Sequence, residues 1–239
     1  MNKSIWLEQE SLFEQVRTNI NTDLLIIGGG ISGTNTLYFL KDSPYRITLI
    51  NNTNNNTTCN STAKITYLQQ DIYTKISKIY SKEIAYQYYK SQIEAISLLT
   101  DIIKKENLNC DLEKAPSFIF TNTNKSTFKE EKDFLLSHDI RLKSKKKLPL
   151  DLPCYHALEV KDTYVFNPYK YITQLKQKLN TYKNISIYDQ SVATSITKEK
   201  DQYKVCCNGK TITCKKIIMA CGYPFEIEKN FPFTTYLER

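Results

Sequence analysis

The feature that most constrains this chain is a glycine-rich turn between a buried strand and a helix. Residues 24–27 are an uninterrupted apolar run, Gly28, Gly30 and Gly33 follow at the spacing G-x-G-x-x-G, and residues 31–40 are compatible with a helix. In a dinucleotide fold the first glycine permits the tight turn, the second lets a pyrophosphate approach the backbone, and the third lets the helix pack against the strand. The helix N-terminus also presents free N–H groups and a positive dipole end to phosphates. The turn therefore predicts dinucleotide binding; the alternative is a cluster of loop glycines without a ligand.

The segments that follow alternate between helical and extended patterns. Residues 46–50 supply the second strand that the fingerprint expects about 20 residues beyond the turn. Pro168 opens a predicted helix, and Asn208-Gly209 is a strong hairpin signal between two short strands. The remaining predicted elements are two long helices within 72–105, a strand at 117–121, a helix at 125–137, a basic loop at 143–153, an extended segment at 160–166 and strands at 185–188, 192–198, 203–207, 211–214 and 216–220.

This order of elements predicts an α/β fold with a mixed central sheet. We expect a Rossmann-like dinucleotide-binding domain that contains a β-meander, together with a partial α+β substrate layer. The predicted divisions are an N-terminal covering segment (1–21), a discontinuous nucleotide-binding domain (22–109 and 168–225) and a partial substrate domain (110–167).

Composition excludes several classes of partner. The net charge is +8 and is partly concentrated at 143–147, but no aromatic residues are interleaved with that run and no nucleic-acid-binding motif accompanies it. None of the seven cysteines forms a CxxC pair, and neither His138 nor His156 lies at ligand spacing from them, so no metal site is expected. No stretch approaches the length of a membrane span, and the N-terminus does not resemble a signal peptide. We therefore expect a cytoplasmic protein that does not bind nucleic acid and has no membrane span; the alternative is that the basic run contacts nucleic acid or a membrane surface.

Several further motifs occur in a characteristic order and resemble one family. They are Ser4-Ile5-Trp6, the glycine turn, Thr62-Ala63-Lys64-Ile65-Thr66, Ile72-Tyr73, Phe166-x-Pro168 and Lys215-Lys216-Ile217-Ile218-Met219-Ala220-Cys221-Gly222-Tyr223-Pro224-Phe225. Together they resemble the FAD-dependent oxidoreductases of the D-amino-acid-oxidase-like (DAO) superfamily, and most closely its bacterial branch that often carries an appended Rieske domain. The Thr-Ala-Lys-Ile-Thr segment discriminates best, because many folds share the glycine turn.

The resemblance implies FAD as the cofactor and assigns its binding residues by position. Gly28, Gly30, Ile31, Ser32 and Gly33 are assigned to the pyrophosphate and Asn51 to the ribose. Ser61, Thr62, Ala63 and Lys64 are assigned to the segment that runs past the flavin end of the cofactor. Val192 lies on the strand that contacts adenine, and Ala220, Cys221 and Gly222 form the turn that closes over the cofactor.

The chain departs from the family pattern at three places. The second strand normally ends in an acidic residue, whereas Asn51 stands here, and an amide lacks the charge-assisted hydrogen bonds of a carboxylate. The family's Gln-His-Gly is replaced by Leu68-Gln69-Gln70. The family also continues beyond this chain, so residues 226–239 look like the start of a missing C-terminal half and the chain looks truncated.

The expected function is oxidation of a small amine or amino-acid-like substrate by hydride transfer to flavin. The alternative is a truncated or split, non-catalytic homologue that binds flavin or nucleotide and needs a partner chain for the missing half. No catalytic residue is assigned, since His138 and His156 are more commonly structural or surface histidines in such positions.

Overall fold

The computed structural model describes residues 6, 12–52, 57–123 and 128–222 of the 239. The described helices are α1 (Ile31–Leu40), α2 (Ile72–Ile79), α3 (Lys82–Lys105), α4 (Lys129–Ser137) and α5 (Pro168–Leu179), with a 3-10 turn at Thr58–Asn60. The described strands are β1 (Ile20–Ile27), β2 (Ile47–Ile50), β3 (Lys64–Ile65), β4 (Glu113–Lys114), β5 (Ser117–Thr121), β6 (Leu142–Lys145), β7 (His156–Val160), β8 (Tyr164–Val165), β9 (Ile185–Tyr188), β10 (Ala193–Glu199), β11 (Gln202–Cys207) and β12 (Lys210–Met219).

The chain divides into two compact units. The first comprises Met1–Ser61 and Pro168–Arg239, and the second comprises Thr62–Asn167. The sequence predicts the boundary between the nucleotide-binding and substrate domains at 109/110. In the structure, residues 62–109 belong to the second unit instead. The reason is packing: Tyr73 of α2 and Ala85 of α3 are buried in one cluster with Phe134 and Leu158.

The first unit is built on a six-stranded sheet of order β10-β11-β12-β1-β2-β9. Four neighbouring strands, β12, β1, β2 and β9, are parallel, while β10, β11 and β12 form the antiparallel meander. The core run of β1 is fully or almost fully buried, as expected for a strand covered on both faces. The predicted mixed sheet with a β-meander is confirmed.

The second unit contains two small antiparallel sheets, β5-β7-β6 and β3-β8-β4. One face of the first sheet, which includes Ile119, Leu158 and Val160, packs against helical side chains. Among these, the rings of Tyr73 and Phe134 stack with their centroids 5.2 Å apart.

Strand predictions differ from the structure at several places, and strand pairing explains two of these differences. The segments predicted as separate strands at 211–214 and 216–220 form one strand, β12, because residues 210–214 pair with β11 and residues 212–219 pair with β1 without a shift in register between the two segments. The predicted basic loop from 143 begins with β6, which pairs with β7.

The described part of the N-terminal segment lies against the first sheet. Val16 is buried in the same cluster as Leu25 and Val205, and its N–H donates to Ser191 Oγ at 3.0 Å. The predicted start of a C-terminal half, 226–239, lies outside the described residues. No helix in the described ranges is long and apolar enough to cross a membrane.

Candidate nucleotide-binding site

A cavity of about 840 Å³ opens within the first unit where its parallel strands end. Strand register places Ile27, Ile50, Tyr188 and Met219, the last residues of β1, β2, β9 and β12, side by side at one edge of the sheet. In open parallel sheets, ligands bind beyond the carboxyl ends of the strands. The lining residues are Ile27, Gly28, Gly29, Gly30, Ile31, Ser32, Ile50, Asn51, Asn52, Thr57, Thr58, Ser191, Val192, Ala193, Met219, Ala220, Cys221 and Gly222.

The glycine turn is too tight for side chains at two of its three fingerprint positions. Gly28 has φ +115°, and a Cβ there would lie 2.6 Å from the carbonyl oxygen of Ala220. A Cβ at Gly33 would lie 1.9 Å from the carbonyl oxygen of Gly28. Close packing of α1 against the end of β1 therefore requires glycine at both positions.

The N-terminus of α1 faces this cavity with its backbone donors. Gly30, the residue that precedes the helix, provides no side-chain cap, and the first turn contains no acidic residue. The N–H of Ile31 donates to Thr58 Oγ1 at 3.0 Å. A hydroxyl oxygen thus occupies the kind of position that a phosphate oxygen takes at a helix N-terminus. A Cβ on Gly30 would lie 3.0 Å from the same oxygen, so a side chain there would crowd any ligand at this point.

A buried polar network lies beside the turn. The N–H of Gly29 donates to Asn51 Oδ1 at 3.3 Å, and Asn51 Nδ2 donates to Asp189 Oδ1 at 3.0 Å. Lys176 Nζ lies 3.4 Å from the same Asp189 oxygen, and both side chains are 3% exposed. Burial lowers the pKa of Lys176, and Asp189 opposes that shift.

The electrostatics of the cavity suit an anionic ligand held by the backbone. None of its described lining residues carries a charged side chain, and burial raises the pKa of the Cys221 thiol, which stays neutral near pH 7. Consecutive backbone N–H groups and a helix N-terminus can bind a diphosphate without a cationic side chain. The glycine cradle, the hydroxyls of Thr57 and Thr58 and the cavity volume therefore fit the diphosphate and adenosine of a dinucleotide.

Comparison with known proteins decides the family. The family model of the FAD-dependent oxidoreductases (DAO) matches residues 23–232. The chain belongs to this family. The cofactor of this family is FAD.

One curated relative of this chain is the Rieske 2Fe-2S iron-sulfur protein YhfW of Bacillus subtilis (strain 168), which is 28% identical to it over 217 residues. That match covers 89% of this chain and 42% of the relative. The chain therefore spans less than half the length of the curated relative that it matches.

Several solved structures share the fold of this chain. The L-amino acid deaminase from Proteus myxofaciens, in complex with anthranilate, matches with a TM-score of 0.67 and 13% identity over 90% of this chain and 49% of that chain. The L-α-glycerophosphate oxidase from Mycoplasma pneumoniae, with FAD bound, matches with a TM-score of 0.65 and 19% identity over 84% and 54%. The glycine oxidase from Geobacillus kaustophilus matches with a TM-score of 0.64 and 13% identity over 85% and 56%.

The structure gathers most of the predicted cofactor residues around one cavity. Those that line it are Gly28, Gly30, Ile31, Ser32, Asn51, Val192, Ala220, Cys221 and Gly222. Gly33 lies directly behind the turn, in the first helical turn.

The residues predicted beside the flavin are not among those that line this cavity. Ser61 is an exposed residue of the first unit, whereas Thr62, Ala63 and Lys64 begin the second. Ala63 is buried with φ 57°, an uncommon backbone conformation for a residue with a side chain, and its carbonyl accepts the N–H of Phe166 at 3.2 Å.

The residues of the site that were not identified from the sequence include Thr58, Asp189 and Lys176. Thr58 lies at the end of a low-complexity polar loop, where no periodicity singles it out. Asp189 directly follows a predicted strand, and the rule that ligands meet the carboxyl ends of parallel strands would have indicated it. Lys176 follows Ile172 by four residues and lies on the buried face of α5. A charged residue at a position where the helical spacing predicts an apolar one could have indicated it.

Proposed function

We propose that this chain is the FAD-binding portion of an oxidoreductase that transfers a hydride from an amine or amino-acid-like substrate to flavin. The observation that carries the proposal is the glycine turn and helix N-terminus at the mouth of an 840 Å³ cavity, in a chain of the FAD-dependent oxidoreductase family. Flavin supplies the hydride-accepting chemistry when bound, and the protein supplies binding and orientation.

In this proposal the first unit binds the adenosine diphosphate half of FAD. The backbone at Gly28, Gly30 and Gly33 and the N–H groups of Ile31 and Ser32 would bind the pyrophosphate, with a phosphate oxygen replacing Thr58 Oγ1 at the N–H of Ile31. Asn51 hydrogen-bonds to the ribose and Val192 contacts adenine. Ala220, Cys221 and Gly222 close over the cofactor; Gly222 stands near the cavity wall, since a Cβ there would lie 3.8 Å from Thr57 Oγ1.

The proposal assigns the flavin end to Ser61, Thr62, Ala63 and Lys64. Lys64 is exposed within β3, where it pairs with Val165. A lysine beside the ring system stabilises negative charge on reduced flavin, as a cation does beside any developing anion. The left-handed backbone of Ala63 is consistent with a functional role for this segment, because strained residues cluster at such sites.

The class of substrate is inferred from structures of the same fold. Two of these proteins are named for amino-acid chemistry, an L-amino acid deaminase and a glycine oxidase, and one for glycerophosphate. The first two favour an amine donor. The alternative, a non-catalytic homologue that needs a partner chain, shares the nucleotide site but not the reaction.

Anaerobic mixing of the FAD-loaded protein with amino acids and simple amines tests the proposal. We expect the visible flavin absorption band to bleach with at least one such substrate and to return with air. Retention of FAD without bleaching by any of them favours the non-catalytic alternative. A protein that retains no FAD contradicts both.

A further inference from the structure

The Asp189–Lys176 ion pair is costly to bury. Both side chains are 3% exposed and 3.4 Å apart, and the desolvation of such a pair often outweighs its attraction. The pair lies directly beside the nucleotide cavity: a Cβ added to Gly29 would lie 2.8 Å from Lys176 Nζ.

Asp189 determines how the Asn51 carboxamide is oriented. An ionised carboxylate only accepts hydrogen bonds, so Asn51 must turn its NH₂ group toward Asp189, at 3.0 Å. The carbonyl oxygen Oδ1 is then left facing the N–H of Gly29, at 3.3 Å. In the opposite orientation, two oxygens would face each other across the first contact and two donors across the second.

Lys176 keeps Asp189 suited to this task. Lys176 Nζ donates from helix α5 to the same Oδ1 atom of Asp189, at 3.4 Å, and so restricts where the oxygen that accepts from Asn51 can lie.

We propose that Asp189 and Lys176 are positioning residues of the nucleotide site, which fix the Asn51 carboxamide against Gly29 and thereby hold the glycine turn in shape for a dinucleotide. The proposal rests on the proposed function of the cavity. It also accounts for the missing acidic residue at the end of β2. A carboxylate at position 51 would stand about 3 Å from that of Asp189 and would repel it.

Exchange of the two side chains tests this inference. The single variants are Asn51→Asp, Asp189→Asn and Lys176→Met, and the double exchange combines the first two. Dissociation constants for ADP and FAD are measured by calorimetry, and the melting temperature is measured in parallel. We expect each single variant to bind both ligands roughly tenfold or more weakly, the size of effect associated with a lost hydrogen bond to a charged group.

The double exchange re-forms the two hydrogen bonds of residue 51, to Gly29 and to residue 189, with the roles of residues 51 and 189 reversed. The carboxylate introduced at position 51 would accept from the N–H of Gly29 and from the amide introduced at position 189, and one carboxylate would remain near Lys176. We expect its affinities to return to within roughly threefold of wild type. Because the double exchange conserves charge and shape, we expect it to fold even where a single variant does not. In that case, comparing its ADP and FAD affinities with those of wild type is sufficient to test the inference.

A Lys178→Met variant is the matched control, since Lys178 lies two residues further along α5 and is exposed. It should bind ADP and FAD as wild type does. Single variants that melt earlier but bind ADP and FAD with unchanged affinity would overturn the positioning role while leaving the proposed function intact. A folded double exchange without recovery would do the same. A wild-type protein that binds neither ligand would overturn the proposed function, and this inference with it.

Discussion

Replacement of Gly33 by alanine tests whether the glycine turn requires glycine for steric reasons, because alanine by itself would favour the helix. The added Cβ would lie 1.9 Å from the carbonyl oxygen of Gly28 and would have to move about 1.5 Å to reach ordinary contact at 3.4 Å. Because the obstacle is backbone, the start of α1 must shift away from the end of β1. Overpacking of this kind typically costs about 1–3 kcal/mol, and alanine recovers about 1 kcal/mol of helix propensity. With a clash this short, we expect a net loss of about 2 kcal/mol.

The assay combines urea unfolding with ADP binding. The control is Gly209→Ala, because Gly209 has φ +72° but nothing lies within 4 Å of its Cβ position. That variant should lose only the cost of a left-handed alanine, about 1 kcal/mol, and should bind ADP normally. Gly33→Ala should in addition bind ADP at least roughly tenfold more weakly, because the displaced helix moves the donors of its first turn. Wild-type stability and ADP affinity in Gly33→Ala would refute the steric account of this turn.

Three further predictions concern titration, thiol reactivity and helix capping. Hydrogen bonds from the Lys215 ammonium and from the backbone N–H of Arg46 lower the pKa of Asp23 to about 2. The stabilisation that ionised Asp23 provides is therefore complete above the unfolded pKa of 3.8 and is lost as the pH falls toward 2. Asp23→Asn should therefore lose less unfolding free energy than wild type between pH 5 and pH 2; parallel curves would contradict this. Burial raises the pKa of both Cys207 and Cys214 to about 11, so iodoacetamide at neutral pH should modify them only after unfolding in urea, as mass spectrometry would show. Glu131 is buried and its carboxylate accepts the N–H groups of two residues in the first turn of α2, so Glu131→Ala should lower the unfolding free energy by about 2 kcal/mol, and unchanged urea denaturation would argue against that cap.

Local signals in the sequence predicted much of the nucleotide-binding unit. The apolar run, the glycines and the following helix are adjacent in the chain, so their spacing alone indicated the turn that the structure contains. The Asn208-Gly209 hairpin is confirmed in the same way, with φ values of 49° and 72° at the two residues. Such features depend on a few consecutive φ values, which residue type largely decides.

Features that depend on distant residues were less predictable. Asn51 and Asp189 are 138 residues apart in the chain, and they meet only because β2 and β9 are parallel neighbours that end at the same edge. The strand Leu142–Lys145 looked like part of a charged loop, and its pairing with β7 supplied the order that its own sequence does not indicate. The assignment of residues 62–109 to the second unit likewise follows from packing of Tyr73 against Phe134, which no local pattern reveals.

The most direct test of the account is a competition experiment at the cavity in the first unit. FAD is titrated into the protein, and the complex is then challenged with ADP or with FMN, which lacks the adenosine and the diphosphate link. If the glycine turn binds the diphosphate of an adenine dinucleotide, FAD binds saturably, ADP displaces it and FMN does not. Absence of saturable FAD binding, or FAD that FMN displaces and ADP does not, would contradict the account.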